Sequence, residues 1–277
     1  MKIQPGDTVL LTGASGGLGV FIAHAFVDLK VKQALVAHPG ENLEELRKEI
    51  ENQGGKAIAI TCDLRDVVQR RQLFQDVRKQ LGPIDILVNN AGVEFTSVYH
   101  ELSEENIYGM LRVNLEAPMI LSKLILPEML ERKRGHIVNI SSLAGKAGPA
   151  FQEPYAATKA GLIAFTASLR ATYRGSGVSA SVIVPGFVEA GVYARLKAVT
   201  GRPAPALLGA CPPEWVAQAV IRAVQRDIPE IIVSRHSIRP LLALIALSPS
   251  FGAWITAKIG TNDFFRSVVE AQKRKQT

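Results

Sequence analysis

Short, apolar, β-branched runs alternate along this chain with longer stretches in which apolar residues recur at helical spacing, the pattern of βαβ units feeding one parallel sheet. The runs predict strands at Thr8 to Leu11, Gln33 to Ala37, Lys56 to Thr61, Ile84 to Asn89, His136 to Ser141, Val178 to Val184 and Glu230 to Ser234. Between them, helices are predicted over Gly17 to Leu29, Glu41 to Gln53, Asp66 to Leu81, Ser103 to Leu130, Pro154 to Arg174 and Pro213 to Arg226. Right-handed crossovers then place helices on both faces, so the expected class is α/β, a doubly wound parallel sheet of seven strands within residues 1–235.

Two stretches interrupt the alternation. Phe187 to Pro212 is rich in Ala, Gly and Pro, and a connection of that length in a compact domain reads as a substrate loop or lid. Residues 236–277 form a C-terminal extension, apolar from Leu241 to Leu247 and through Phe251, Trp254 and Ile255, then basic at Lys273-Arg-Lys275. The apolar run is too short to span a bilayer. It is expected either to pack on the body or to wall a substrate cleft. Resting on an anionic membrane is the less favoured alternative.

Composition adds little to this picture and excludes much. The chain has 277 residues, 47% hydrophobic and 21% charged, which is enough for a large core and rules out wholesale disorder. Its two cysteines, Cys62 and Cys211, form neither a disulfide framework nor a zinc pattern, so no metal is expected. The first residues run into the first strand with no long apolar signal region, and a cytoplasmic location is the expectation. A formal charge of +7 comes without a long basic run or nucleic-acid motif, and Glu131-Arg-Lys-Arg-Gly135 reads as a solvated connection.

The chemistry is concentrated in two motifs. In Tyr155-Ala-Ala-Thr-Lys159, the i, i+4 spacing puts a phenol and an ammonium on one helix face. A cation there is expected to favour the phenolate and bring the tyrosine towards working pH, making it a proton donor. Ser142, just past a strand, is placed to hydrogen-bond the oxygen that Tyr155 protonates, which suits a carbonyl being reduced or a carbinol oxidised. The second motif is Thr12-Gly-Ala-Ser-Gly-Gly-Leu-Gly19, where a first strand runs into a helix through glycines, the setting of a dinucleotide phosphate site.

With Asn89-Asn-Ala-Gly92, Ser142, Tyr155 and Lys159 following that loop in order, the chain resembles the short-chain dehydrogenase/reductase family over roughly residues 7–235. The resemblance implies a Rossmann-type, nicotinamide-dependent oxidoreductase interconverting a ketone and a secondary alcohol. It implies Ser142, Tyr155, Lys159 and Asn114 as the catalytic set, Lys159 also binding the nicotinamide ribose and Asn114 helping to hold a water that links Lys159 to solvent. Cofactor contacts are implied at Gly13, Ser15, Gly17, Leu18 and Gly19, at Asp63 and Leu64 near the adenine, and at Asn90, Ala91 and Gly92. Pro185, Gly186 and Val188 complete them.

Two departures from the family pattern matter. The acid that NAD-selective relatives carry after the second strand is absent from Leu35-Val-Ala-His-Pro-Gly40, and His38 stands where a phosphate would be met, so NADP(H) is favoured over NAD(H). Ala190 replaces the Thr that often holds the nicotinamide carboxamide. Relatives pair the helix after Tyr155 with its symmetry mate, and Ala156, Ala160, Gly161, Ala164 and Ala167 suggest a homodimer or homotetramer. The competing readings are a non-catalytic dinucleotide sensor or scaffold, and a membrane-peripheral reductase of a lipid ketone.

Overall fold

β1 (Thr8–Thr12) is buried at every position, which an apolar strand achieves only with neighbours on both edges and helices on both faces. The computed structural model, which describes residues 1–276, supplies all four. The chain continues through α1 (Leu18–Ala25), β2 (Lys32–Ala37), α2 (Glu44–Asn52), β3 (Lys56–Thr61), α3 (Val67–Leu81) and β4 (Ile86–Asn89). Then come α4 (Glu104–Leu111), α5 (Ala117–Glu131), β5 (Gly135–Ile140), the single turn α6 (Ala144–Ala147), α7 (Glu153–Thr172) and β6 (Val178–Pro185). β7 (Phe187–Val188), α8 (Gly191–Thr200), β8 (Ala210–Cys211), α9 (Pro213–Arg226) and β9 (Glu230–Val233) follow. Three helices end the chain: α10 (Arg239–Leu247), α11 (Pro249–Lys258) and α12 (Thr261–Gln276).

The main sheet has seven parallel strands in the order β3-β2-β1-β4-β5-β6-β9. The order reverses between β1 and β4, and in an open parallel sheet ligands bind where the strand ends diverge at such a reversal. Alternate residues of one strand serve opposite layers: Val9 and Leu11 join the core under α1, α2 and α9, while Leu10 joins the core under α3 and α5.

All seven expected strands form, and three expectations need correction. The predicted helix from Ser103 to Leu130 runs unbroken from Glu104 to Glu131 but is not regular, because the turn Arg112–Glu116 between α4 and α5 is π-helical and carries Asn114. The predicted helix from Gly17 to Leu29 ends at Ala25, followed by a short 3₁₀ turn at Val27–Leu29. The supposed loop from Phe187 to Pro212 is largely ordered: β7 and β8 pair in a small sheet and α8 lies between them.

Distant aromatics hold α8. The Phe187 ring meets Tyr193 of α8 at 5.2 Å and Phe264 of α12 at 5.3 Å, edge to face in both cases. Such contacts contribute about 0.5–1.5 kcal/mol each beyond the area they bury. The last helix thus fastens the segment that covers the sheet's reversal point. The side chain of Lys275, in the expected basic end, lies outside the described residues.

Candidate active site

The glycine loop is shaped by contacts that no larger residue would permit. A Cβ on Gly13, whose φ is +64°, would lie 2.7 Å from Ala91 Cα, and one on Gly19 would lie 2.0 Å from the carbonyl oxygen of Gly13. Asn90 braces the loop: its Nδ2 donates to the carbonyls of Thr12 at 3.1 Å and Gly13 at 2.8 Å. The N–H groups of Asn90 and Ala91 donate to Thr12 Oγ1, both at 3.1 Å. No side chain caps α1, and apart from the Gly19 N–H, which donates to the Gly16 carbonyl at 2.9 Å, the N–H groups at the start of the helix are left to face an anion. This is the cradle a pyrophosphate requires, and the residues present fit a dinucleotide.

From the loop, one crevice runs past Ser15, Gly17, Leu18, Ala91 and Gly92 to Lys159, Pro185, Gly186 and Val188. Its other end lies between Ala37, His38, Asp63, Leu64 and Gly92. Every residue expected to touch the cofactor borders one of the two except Gly19, which stands behind the loop as its packing partner. The sequence reading missed Arg65, whose guanidinium grips the Asp63 carboxylate at 2.8 Å and reaches within 3.3 Å of His38 Nε2. That grip holds the Asp63 carboxyl down at about 2. It also missed Glu41, which accepts a hydrogen bond from Ser15 Oγ on the crevice wall. Arg65 stands two residues after Asp63, a position the spacing alone could have flagged.

Ser142, Tyr155 and Lys159 come together where α7 crosses the ends of β5 and β6. Ser142 and Tyr155 border the same crevice, and the serine stands close enough to the phenol to pull on its pKa. Lys159 Nζ stands 5.6 Å from the centre of the Tyr155 ring and donates to the carbonyl of Ile140 at 2.9 Å. The neighbouring Ser141 donates to the carbonyl of Lys159 at 2.8 Å, which pins the helix to the strand.

The expected lowering of the Tyr155 pKa is not found in the protein alone. Burial pushes the phenol up to about 12, against an opposing pull from the nearby Ser142 hydroxyl, and the Glu94 carboxylate adds to the rise. Burial also brings Lys159 down to about 8. Spacing revealed that the two side chains would meet but not the desolvation that raises one and lowers the other.

Asn114 is fully buried, and its side chain is committed to Val93, accepting from Val93 N–H and donating to the Val93 carbonyl, both at 2.8 Å. A Cβ on Gly92 would lie 3.4 Å from both Asn114 Oδ1 and Lys159 Nζ, so the two polar groups border one narrow gap. Beside them Glu94, almost wholly buried, is held by Gln152 Nε2 at 2.7 Å, by the Thr96 hydroxyl and by Arg195 of α8 at 3.1 Å. Gln152 and Thr96 also bond each other, at 2.6 Å. This network ties the start of α7 to α8, and no motif announced it.

A second cavity opens on the far side of Tyr155. It is predominantly apolar, with Ser142, Tyr155 and Gln152 on one side and Tyr193 and Leu196 of α8 on another. Leu241, Leu242 and Ile245 of α10 and Phe265 of α12 close it. The C-terminal segment therefore walls the cleft, with one correction: Leu244 and Trp254, which sequence suggested for the wall, are exposed and absent from its lining. Among the described residues no group of His, Cys, Asp and Glu is placed to hold a metal, and no helix is long and apolar enough to cross a membrane.

Comparison with known proteins agrees with this geometry. The family described as short chain dehydrogenase matches residues 7–199. The ketoacyl reductase HetN of Nostoc sp. (strain PCC 7120 / SAG 25.82 / UTEX 2576) is 40% identical over 95% of this chain and 93% of its own. A dehydrogenase/reductase SDR family protein 7-like of Anopheles gambiae is 32% identical over 91% of this chain and 83% of its own. Among solved structures, a single-residue variant of actinorhodin polyketide ketoreductase with NADPH superposes with a TM-score of 0.75 at 29% identity, covering 82% of this chain and 95% of that one. A metagenomic short-chain oxidoreductase in complex with NADP gives 0.71 at 31% identity, over 84% and 98%.

Proposed function

The chain belongs to the short-chain dehydrogenase family, and from that premise we propose that it is an NADP(H)-dependent reductase of an apolar ketone, with Tyr155 as the proton donor. One observation carries the reading: Ser142, Tyr155, Gly186 and Tyr193 border both the dinucleotide crevice and the apolar chamber. A carbonyl at that junction meets the proton donor on one side and the nucleotide on the other. When bound, the nicotinamide supplies the hydride.

The chain's residues supply the remainder. Ser142 orients the carbonyl oxygen and Tyr155 protonates it as charge develops there. Lys159, a buried cation beside the phenol, stabilises the tyrosinate left behind and binds the adjoining ribose. The replacement proton passes from solvent by way of Lys159 and the π-helical turn at Asn114, where the shifted hydrogen-bond ladder leaves the backbone able to hold a water. Arg65 and His38 face the adenosine end, where the extra phosphate of NADP(H) needs donors. The two superposed structures contain NADP or NADPH, which supports the same choice.

The chamber lining favours an aliphatic or ketoacyl substrate, in keeping with the relatives named as ketoacyl reductases. Residues 1–235 form the dinucleotide-binding body in this reading, and 236–277 complete the substrate wall. A homodimer or homotetramer is supported by exposed Ala160, Ala164 and Ala167 on α7 and by Leu111 and Met119, also exposed, on α4 and α5. Tyr155→Phe keeps the ring and removes the proton, so turnover of a ketone panel should fall ~10²-fold or more while NADPH still binds. Near-normal turnover would remove Tyr155 from the mechanism. NADPH binding with no turnover in the unaltered protein would favour a dinucleotide sensor.

A further inference from the structure

The helical hairpin α10–α11 has two apolar faces, and only one is used. Its inner face, with Leu241, Leu242, Ile245 and Ile259 at or beside the chamber, is the substrate wall described above. The two helices meet closely, since a Cβ on Gly252 would lie 2.9 Å from Ile245 Cγ2. The outer face presents Leu244, Leu247, Phe251 and Trp254, with relative exposures of 49%, 82%, 39% and 57%. The Phe251 and Trp254 rings stack at 5.7 Å, so they form one exposed aromatic plate. Isolated exposed apolar side chains need no explanation, but four large ones on a single hairpin mark a contact surface.

The charge around this surface says what it contacts. Between Glu230 and Asp263 the sequence contains no carboxylate, whereas Arg239 and Lys258 fall there and are exposed; Arg235, also in the interval, is turned over the Trp215 ring at 6.0 Å. Arg239 leans on Glu230, 4.0 Å away, yet its side chain keeps 61% of its exposure. A second copy docked face to face would set Arg239 and Lys258 against their own images, with only Glu230, already held by Lys146 at 2.6 Å, beside Arg239 to offset them. An anionic bilayer offers both complements at once, headgroup phosphates for the basic rim and acyl chains for the leucines and the aromatic plate. At nine and ten residues the two helices are too short to cross, so they would lie in the interface.

We propose that the α10–α11 hairpin docks the protein on an anionic lipid surface by Leu244, Leu247, Phe251 and Trp254, and that the apolar ketone enters the chamber from that surface past the hairpin's inner face. The docking half stands on its own. The delivery half rests on the reductase reading above.

The full chain is mixed with sedimenting vesicles of phosphatidylcholine, with and without phosphatidylglycerol. It should partition onto the anionic vesicles, more weakly at high salt, and Trp254 emission in a Trp215→Phe background should shift to the blue. Leu247→Ser with Trp254→Ser should weaken partition ~10-fold or more. Because neither side chain lines the chamber, that variant should keep its melting temperature and its turnover of a short, water-soluble ketone, and lose only the gain that vesicles give with a long-chain ketone. Should the double variant prove unstable, Arg239→Gln with Lys258→Gln provides a second arm, expected to weaken partition and flatten its salt dependence. Absence of partition, an unshifted Trp254 spectrum, or a dimer that the double variant splits into monomers would overturn the docking. Partition without any vesicle-dependent gain on the long ketone would overturn the delivery, and failure to turn over either ketone would fall on the reductase reading instead.

Discussion

Tyr155 and Lys159 are shifted by the same cause in opposite directions, since burial disfavours the phenolate of one and the ammonium of the other. The order in which they lose protons sets the pH dependence. With Lys159 lowered from 10.5 to about 8 and Tyr155 raised to about 12, a rise in pH removes the lysine's charge first, while the tyrosine still holds its proton. The alkaline limb of kcat/KM for ketone reduction should therefore fall near pH 8 and report Lys159. Lys159→Arg, which keeps its charge, should move that limb upward even if the rate falls. A limb unmoved by that variant would assign it to another group. Glu94 belongs to the same account: its carboxylate faces the phenol and Arg195 offsets it, so the start of α7 and the covering helix α8 share one charge balance. That Tyr155 and Lys159 would stand together was legible in the i, i+4 spacing. The direction of its titration was not, because desolvation depends on what the rest of the chain stacks over the pair.

At the scale of the element, the strands were legible because a parallel strand covered on both faces carries an unbroken apolar run, as residues 9–11 of β1 and 86–88 of β4 do. The glycine loop was legible too, and the structure separates its glycines by what surrounds them. Gly19 packs onto the backbone of Gly13, whereas a Cβ on Gly16 would meet nothing within 4 Å. Gly19→Ala should therefore weaken NADPH binding ~10-fold or more by displacing the cradle, with Gly16→Ala close to neutral, as read by calorimetric titration. Equal losses in both would mean that the loop responds to flexibility rather than to fit. The helix α8 was hidden for the opposite reason. Its flanking Ala, Gly and Pro read as loop, and what holds it is Phe264, far along the chain. A window of local sequence contains no such partner. The π-helical turn at Asn114 was equally invisible, because the apolar spacing on either side continues as though the helix were regular.

For the whole molecule, α8 is the element that no single site owns. Its first residue touches the phosphate loop, where a Cβ on Gly17 would lie 2.9 Å from Gly191 Cα. Val192 and Tyr193 border both cavities, and Arg195 reaches Glu94 beside the tyrosine. The nucleotide crevice and the chamber thus share one wall, and α12 holds that wall from behind through Phe264 and Phe265. A wall common to two ligands sets a timetable. In the reading proposed above, the nucleotide would lie against the loop under α8 and the ketone against Val192, Tyr193 and Leu196 of the same helix, so a ketone seated first would close the nucleotide's way in. Initial-rate kinetics should show NADPH adding first and NADP leaving last: NADP competitive against NADPH, and the alcohol product non-competitive against it. Random addition, with either ligand binding the free protein at full affinity, would mean that α8 yields to each independently. Under ordered addition, the helix that composition disguised as a loop acts as the protein's queue.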